Sequence, residues 1–565
     1  MPHQDPRFHS FASDIRSIEL PSQFTFPFYY QPHSLCKLAA SQLQQHLLTQ
    51  TEWRHDFGIE GQSQSREKTD AVGKMFGVLV VQSPEGEIGY LAGFSGKIAE
   101  QNLLPGFVPP VFDMLAKDSF FHAELAHITE LNSHVTTLSH DDEFIRLQQQ
   151  LAQLESDYQQ HEAQQRQHMI AARAERKQQR INAEQTLEGD ALKHALDALA
   201  KASVADKNTL KYLKLEWEEK IAQVNQHVER IQRKLEQLKT KRKQLSHQLQ
   251  KKLFDQYQFL NQRGEQLGLN QIFRQTGLEV PPAGAGECAA PKLLQYAYLH
   301  GYHPLAMAEF WWGVSPKSEI RKHGQFYPSC HSKCQPILTH MLKGLEVEPN
   351  PLEQNWAEDK PLTIVYQDEA MVVVNKPSGL LSVPGKTIKD SAYTRLQQQF
   401  PDVEGPFVIH RLDMATSGLL VFALTKRANK SLQKQFISRE VKKRYVALLC
   451  GEVPAPQGQI DLPMRGDPDD RPRQLVCFEH GKPARTEWQE IVNTHGQSKV
   501  YLYPHTGRTH QLRVHCAHHL GLNLAMVGDG LYGTRADRLH LHAETLEFAH
   551  PYTKQPMVFQ ADAEF

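Results

Sequence analysis

Apolar residues recur at alternating steps of three and four in a region, residues 143–262, that is otherwise rich in Gln, Glu, Lys and Arg. This spacing is typical of a heptad seam, and it is broken only at Arg242. The seam of the second half consists of Ile221, Val224, Val228, Ile231, Leu235, Leu238, Leu245 and Leu249. The first half begins in the same way and then weakens, with Phe144, Leu147, Leu151, Leu154 and Tyr158.

Turn-like residues separate these two halves at 187–190 and again around Ala205 and Asp206. We therefore predict two helical arms over residues 141–265, which fold back on each other as an antiparallel coiled coil. A parallel dimer through the second arm alone is the alternative that the pattern leaves open.

A different pattern surrounds the arms. Two β-rich runs flank the turn residues at 83–86, which predicts a hairpin over Met75–Ser95. We assign residues 1–140 to an N-terminal α/β accessory region that the coiled coil interrupts. Residues 266–350 return to globular composition and contain several cysteines. We expect this Cys-containing α/β segment to complete the N-terminal region.

The last part of the chain alternates short β-rich runs with turn residues, after a polar, Pro-containing linker at 346–361. Few long helical patterns occur in it. We predict an α+β catalytic domain with a large antiparallel sheet over residues 358–565.

Composition narrows the class of protein. The chain has 565 residues and a net charge of −1, so any nucleic-acid partner must be met by a local basic patch. Seven cysteines are too few and odd in number for a disulfide scaffold, which favours reduced thiols. No signal-peptide pattern opens the chain, and apolar runs such as Leu419–Leu424 are far shorter than a membrane span. We expect a soluble cytoplasmic protein with no membrane partner.

Three stretches of the last domain carry polar residues that packing alone does not require. They are 375–380 (NKPSGL), 411–413 (RLD) and 507–515 (GRTHQLRVH). In the third, Leu512 and Val514 alternate with polar residues, which predicts a strand. Each stretch alone has an ordinary explanation, such as a turn carboxylate for Asp413.

Taken together and in order, these stretches resemble the RluA family of pseudouridine synthases. HRLDMATSGLL at 410–420 is similar to the signature around the family's catalytic aspartate, and VNKPSGLLSVP at 374–384 to its first motif. KRYVA at 443–447 resembles the tyrosine motif, and TGRTHQLRVH at 506–515, followed by VGD at 527–529, resembles the arginine motif. Three further matches, at 461–463, 471–474 and 481–484, point to the branch whose substrates are a loop of large-subunit (23S-type) rRNA and a tRNA anticodon stem-loop.

The resemblance implies an RNA-modifying isomerase that acts on a flipped uridine and needs no cofactor. It implies a nucleophilic carboxylate at Asp413, a stacking phenol at Tyr445 and a counter-cation at Arg513. Arg411 occupies the position that fills the gap left by the flipped base. The remaining predicted contacts with the RNA substrate are Asn375, Lys376, Lys443 and His510.

Two basic clusters suggest where RNA is held. One follows Asp413, is opposed in sequence only by Glu440, and contains Lys426, Arg427, Lys430, Lys434, Arg439, Lys442, Lys443 and Arg444. We expect it to grip phosphates. The other lies in the second arm and contains Arg230, Arg233, Lys234, Lys239, Lys241, Arg242, Lys243, Lys251 and Lys252. It is either a solvated helix face or an arm that contacts structured RNA or a ribosomal particle.

Cys288, Cys330 and Cys334 are weak candidates for a metal site, because zinc requires three or four such ligands. The surrounding residues also weakly resemble the zinc nucleoside-deaminase fold, but Ala290 stands where that family has its proton-shuttling Glu. The sequence therefore favours three unmetallated thiols, with a structural zinc site or a second, deaminase activity as alternatives.

The leading hypothesis is an RNA pseudouridine synthase with a long accessory region. The alternative from another class is an RNA- or ribosome-binding protein in which the synthase domain serves as a clamp.

Overall fold

The computed structural model describes residues 5–59, 71–276, 280–316, 319–468 and 470–565. The chain forms two compact units, Met114–Leu253 and a larger one made of Met1–Asp113 and Phe254–Phe565. Within the described ranges, no helix has the length and apolar character needed to cross a membrane.

The larger unit begins with β1 (Phe8–Ser10), α1 (Ser34–Thr49), β2 (Lys74–Gln82) and β3 (Ile88–Phe94). The predicted hairpin is confirmed, since β2 and β3 pair antiparallel from Phe76↔Phe94 to Gln82↔Ile88. Most side chains of both strands are buried, because the sheet is covered on both faces.

The smaller unit is helical and contains α2 (Phe120–Ser139), α3 (Asp142–Thr186) and most of α4 (Gly189–Gln256). Arg176 on α3 lies 2.6 Å from Asp206 on α4, and Glu162 lies 2.9 Å from Lys214. Glu162 precedes Arg176 on α3, whereas its partner Lys214 follows Asp206 on α4. The two helices therefore run antiparallel. Val228, Leu235 and Leu249 of the predicted seam are buried. The interlocking of a coiled coil stays a prediction.

The predicted turn at Ala205 and Asp206 is wrong. The chain leaves the helix only at Leu187 and Glu188, and α4 continues without a break through residues 205–206. Aspartate is common in turns, which suggested one here. In the structure the Asp206 carboxylate lies on α4 and accepts a hydrogen bond from Arg176 on α3.

After the long helices the chain returns with β4 (Gln258–Leu260), β5 (Gln266–Gly268), α5 (Leu269–Arg274), α6 (Ala289–Leu299), β6 (His303–Trp312), β7 (Phe326–Tyr327) and α7 (Cys334–Met341). A five-stranded sheet has the order β1-β3-β2-β6-β7, so segments on both sides of the helical unit share one sheet. One face packs on α1 through Leu35 and Leu43. The other face packs on α5, α6 and α7.

The C-terminal part contains β8 (Thr363–Gln367), β9 (Met371–Lys376), α8 (Ala392–Gln399), β10 (Phe407–Val408), β11 (Ser417–Ala423), α9 (Lys426–Ile437), β12 (Lys442–Leu449), β13 (Gln457–Asp461), β14 (Met464–Gly466), β15 (Gln474–Val476), β16 (Arg485–Thr494), β17 (Gln497–Pro504), α10 (Gln511–Ala517), β18 (Leu541–Ala549) and β19 (Pro556–Gln560). The main path of its ten-stranded sheet is β13-β16-β17-β12-β18-β11-β9-β8. The strands pair antiparallel except at β11 and β18, which run parallel. The predicted α+β class is confirmed.

The predicted strand at 507–515 is wrong, because Gln511–Ala517 form the helix α10. All seven of its residues are buried, so the helix lacks the polar face from which a helical period can be recognised. The alternation of Leu512 and Val514 with polar residues therefore resembled the sequence pattern of a strand.

Candidate active site

Asp413 lies in a tight turn that leads into the central strand β11. The backbone N–H of Thr416 donates to the carbonyl of Asp413 at 3.1 Å. Gly418 then adopts φ +117°, and a Cβ there would lie 2.3 Å from the carbonyl oxygen of Ala543 on β18. The glycine of the motif is thus required for β11 and β18 to lie side by side beneath the aspartate.

The loop at 377–382 holds the Asp413 turn in place from one side. Ser378 Oγ donates to the carbonyl of Ala415 at 2.8 Å, and Gly379 N–H to that of Met414 at 2.9 Å. Ser382 Oγ bonds both the carbonyl and the N–H of Leu412, at 2.7 and 3.0 Å. The first motif is therefore a scaffold for the aspartate turn.

Lys376 belongs to the same scaffold. Its side chain is fully buried, and Nζ lies 3.0, 2.7 and 3.2 Å from the carbonyl oxygens of Pro377, Leu380 and Met414. Burial lowers the pKa of Lys376 to about 7, against the opposing effect of the Asp413 charge. This placement does not fit the predicted contact with RNA, because all three ammonium N–H groups have partners inside the protein.

We expect Lys376→Met to destabilise the catalytic domain by about 2–4 kcal/mol, since three inward carbonyls lose their donor. Thermal unfolding followed by circular dichroism measures this. Lys389→Met is the matched control, because exposed Lys389 donates to one carbonyl only. An equal, small effect of both changes would contradict the scaffold role.

On the other side of Asp413, Arg513 is fixed by a buried carboxylate. Its Nε and Nη2 bind Asp529 at 2.9 and 2.6 Å, and its Nη1 lies 3.8 Å from Asp413 Oδ2. Burial works to raise the pKa of Asp529, but Arg513 and the N–H groups of Leu531 and Tyr532 hold it below the usual value. Asp529 therefore holds the guanidinium with Nη1 toward Asp413.

His510 completes this side with φ +53° at the start of α10. Its Nε2 lies 3.9 Å from Asp413 Oδ2, and its Nδ1 lies 2.8 Å from Tyr532 Oη. Burial and the nearby Arg513 lower the pKa of His510 to about 4, so the ring is neutral at pH 7. Tyr532 Oη accepts from Gln474 N–H at 2.7 Å, so its own proton is available to His510 Nδ1. In the tautomer where Nδ1 accepts that proton, the imidazole N–H is on Nε2, the nitrogen nearer to Asp413.

Tyr445 stands on the sheet beside the aspartate turn. The register of β12 shifts between Arg444 and Tyr445, and Tyr445 then pairs with Ala543, which also pairs with Gly418. Burial and the Asp413 charge raise the pKa of Tyr445, so the phenol keeps its proton.

The other predicted residues lie around this centre. Arg411 is exposed two residues before Asp413, and Asn375 is half-buried on β9 opposite Leu419. Lys443 is half-buried on β12, where burial lowers its pKa.

Residues that sequence reasoning missed hold the site from behind. Asp529 is part of the VGD match at 527–529, but its two hydrogen bonds with Arg513 could be seen only in the structure. Tyr29 carried no signal at all, yet a Cβ on Gly530 would lie 2.7 Å from its hydroxyl. The Arg535 guanidinium stacks on the ring of Tyr29 at 4.9 Å and on that of Trp356 at 5.3 Å. The N-terminal region thus packs directly behind the Asp529 turn.

Comparison with known proteins identifies the family of the C-terminal part of the chain. Residues 370–518 match the family described as RNA pseudouridylate synthase. The dual-specificity RNA pseudouridine synthase RluA of Yersinia pestis is 48% identical over 212 residues, which are 36% of this chain and 100% of the relative. Its counterpart from Escherichia coli K12 is 46% identical over 224 residues, 38% of this chain and 97% of the relative.

A solved structure, human RNA pseudouridylate synthase domain containing 1, matches with 31% identity, 39% coverage of this chain, 87% coverage of the human chain and a TM-score of 0.32. That score is low, so the assignment depends on the sequence matches. The chain belongs to the RluA family of RNA pseudouridine synthases, the enzymes that isomerise uridine in RNA.

Proposed function

We propose that Asp413 acts on the anomeric carbon of a uridine that has been flipped out of its stack. The observation that carries the proposal is the pairing of a partly exposed carboxylate with a buried cation: the Asp413 side chain is 28% exposed, that of Arg513 only 5%. The carboxylate serves as covalent nucleophile or as partner to proton abstraction at the ribose. The uracil then rejoins the sugar through carbon, which releases the hydrogen of C5.

Arg513 is the counter-cation in this scheme. Its positive charge lies 3.8 Å from the Asp413 carboxylate, and Asp529 holds the guanidinium in that position. The neutral His510 offers Asp413 a further N–H without adding charge.

Tyr445 receives the uracil on its ring and, as a protonated phenol, takes part in proton transfer at the ribose. We expect Tyr445→Phe to lower kcat by about 10²–10³-fold, since the proton-transfer group is lost. KM should change little because the ring still stacks. Release of tritium from RNA with labelled uracil C5 measures both constants. Tyr501→Phe, a change on the neighbouring strand β17, is the control, and equal activity of the two variants would remove Tyr445 from the chemistry.

The basic residues around α9 are proposed to hold the RNA backbone. Lys430, Lys434 and Arg439 are exposed. Acidic residues that are distant in the chain oppose part of this cluster, which its sequence did not indicate. Lys426 lies 3.3 Å from Glu404, and Lys442 lies 3.7 Å from Glu547.

The basic cluster of α4 is proposed as a second contact with structured RNA or a ribosomal particle. All nine of its side chains are exposed. Acids oppose a few of them, since Glu229 lies 3.6 Å from Arg233 and Glu236 lies 2.9 Å from Lys239. An exposed cationic face on a long helix suits a phosphate backbone.

Salt dependence separates these two contacts. We expect Lys430→Gln with Lys434→Gln to reduce the slope of log affinity against log salt by about 1–2 for a short stem-loop. Lys241→Gln with Lys243→Gln should leave that slope unchanged and reduce it only for ribosomal RNA. The slopes come from filter binding at several salt concentrations. If the Lys241→Gln and Lys243→Gln variant shows the wild-type slope with every RNA, the basic cluster of α4 is a solvated helix face and does not contact RNA.

For the target, we propose both a large-subunit rRNA loop and a tRNA anticodon stem-loop, in line with the dual specificity in the relatives' name. The test is incubation of the full chain with each RNA transcript, followed by pseudouridine mapping at single-nucleotide resolution. Modification of one defined uridine in each RNA supports the proposal. Tight binding without modification of any RNA would instead favour the RNA-binding clamp.

A further inference from the structure

Three cysteines from two separate segments of the chain meet in the larger unit. The sulfur atoms of Cys288, Cys330 and Cys334 all lie within 4.8 Å of one another. Cys334 is buried and the other two are half-buried. The Sγ atoms of Cys330 and Cys334 are 3.3 Å apart.

The backbone around these thiols suits anionic sulfur. Cys288 is the N-cap of α6, and Cys334 is the first residue of α7. Two helix N-termini therefore converge on the cluster, and the positive end of a helix favours a thiolate over a thiol.

A buried carboxylate links the two segments that carry the thiols. Glu309 on β6 accepts from the N–H of Ala290 at 3.3 Å and from Ser329 Oγ at 2.5 Å. Ala290 is two residues after Cys288, and Ser329 directly precedes Cys330. The cluster is thus held by contacts of its own, independent of any contact between the sulfur atoms.

We propose that Cys288, Cys330 and Cys334 bind one zinc ion as thiolates. Sulfur ligands at about 2.3 Å in a tetrahedral site lie roughly 3.8 Å apart, so the three atoms need to move by only about an ångström. Soft thiolate ligands select zinc over hard cations such as magnesium. Binding deprotonates the thiols that still carry protons, and these protons go to solvent.

The cluster contains three ligands among the described residues, so water takes the fourth position. His331 is next to Cys330 in the chain, but its ring packs at a tilt of 33° against Phe28, and its Nδ1 lies 3.2 Å from Gln335 Oε1. The sequence favoured three unmetallated thiols. The fold adds that Cys288, from a separate segment, lies beside Cys330 and Cys334.

The test uses the full chain purified without chelators and analysed for metal by mass spectrometry. We expect about one zinc per chain, and replacement by cobalt(II) should give the intense thiolate-to-cobalt absorption and the visible bands of a tetrahedral site. Cys288→Ser and Cys330→Ser should each reduce bound zinc at least tenfold. Cys450→Ser, at an exposed thiol outside the cluster, should leave it unchanged.

Wild-type protein that contains no zinc and binds no cobalt would overturn the proposal, as would a Cys330–Cys334 disulfide in peptides from freshly purified protein. If a cluster variant does not fold, the zinc content and cobalt spectrum of the wild type still decide. Pseudouridine formation does not enter the test, so the proposal stands or falls independently of the mechanism at Asp413.

Discussion

Asp413→Asn is expected to abolish pseudouridine formation, with a loss of about 10⁴-fold or more in kcat, while the protein stays folded and binds RNA within a few-fold of wild type. The amide keeps the shape of the side chain but removes the charge that attacks or stabilises the anomeric carbon. Because Asp413 is partly exposed and its contact with Arg513 is 3.8 Å, little stability depends on it.

Single-turnover tritium release from C5-labelled RNA measures the rate, and thermal unfolding measures the fold. Asp402→Asn, at an exposed carboxylate in a nearby loop, is the matched control and should behave as wild type. An Asp413→Asn protein with a rate within tenfold of wild type would exclude the aspartate from the chemistry.

Asp529→Asn is expected to lower both stability and activity, because Arg513 would be left buried without its closest counter-charge. The loss of stability should be about 3–5 kcal/mol, as for other buried ion pairs broken on one side. The rate should fall as well, since the guanidinium is then free to turn away from Asp413. Urea unfolding of the full chain, followed at the catalytic domain by hydrogen exchange, measures the first effect, and tritium release measures the second.

The pH dependence gives this prediction a second readout. The pKa of Asp529 is lower in the folded protein than its ordinary value of 3.8, so its stabilising contribution is complete above that value and is lost as pH falls through the folded pKa. The gap in stability between wild type and Asp529→Asn should therefore be constant near neutrality and narrow below about pH 4. Asp537→Ala, at an exposed carboxylate in the same loop, should show no such gap.

The family could be predicted from sequence because the residues that match it occupy contiguous motifs. Asp413, Tyr445 and Arg513 meet at one place in the fold, as the resemblance implied. The hydrogen bonds that hold Arg513 were harder to predict, because their acceptor, Asp529, lies in a turn sixteen residues further along the chain. The role of Tyr29 could not be predicted from sequence, because its contact with the Asp529 turn forms only when the N-terminal region packs on the catalytic domain.

The errors have physical causes too. Lys376 was predicted to contact RNA from the resemblance, but its ammonium group donates to three carbonyls inside the protein. The helix α10 was mistaken for a strand because burial on every side removed its helical period. Asp206 was mistaken for a turn because its partner, Arg176, lies on another helix.

The most direct test of the central claim is a pseudouridine map of rRNA and tRNA from cells in which the only copy of this protein is either wild type or Asp413→Ala. We predict that defined uridines lose their modification in the variant cells while the protein remains abundant and folded. Identical maps from the two strains would contradict the assignment of Asp413 as the catalytic carboxylate.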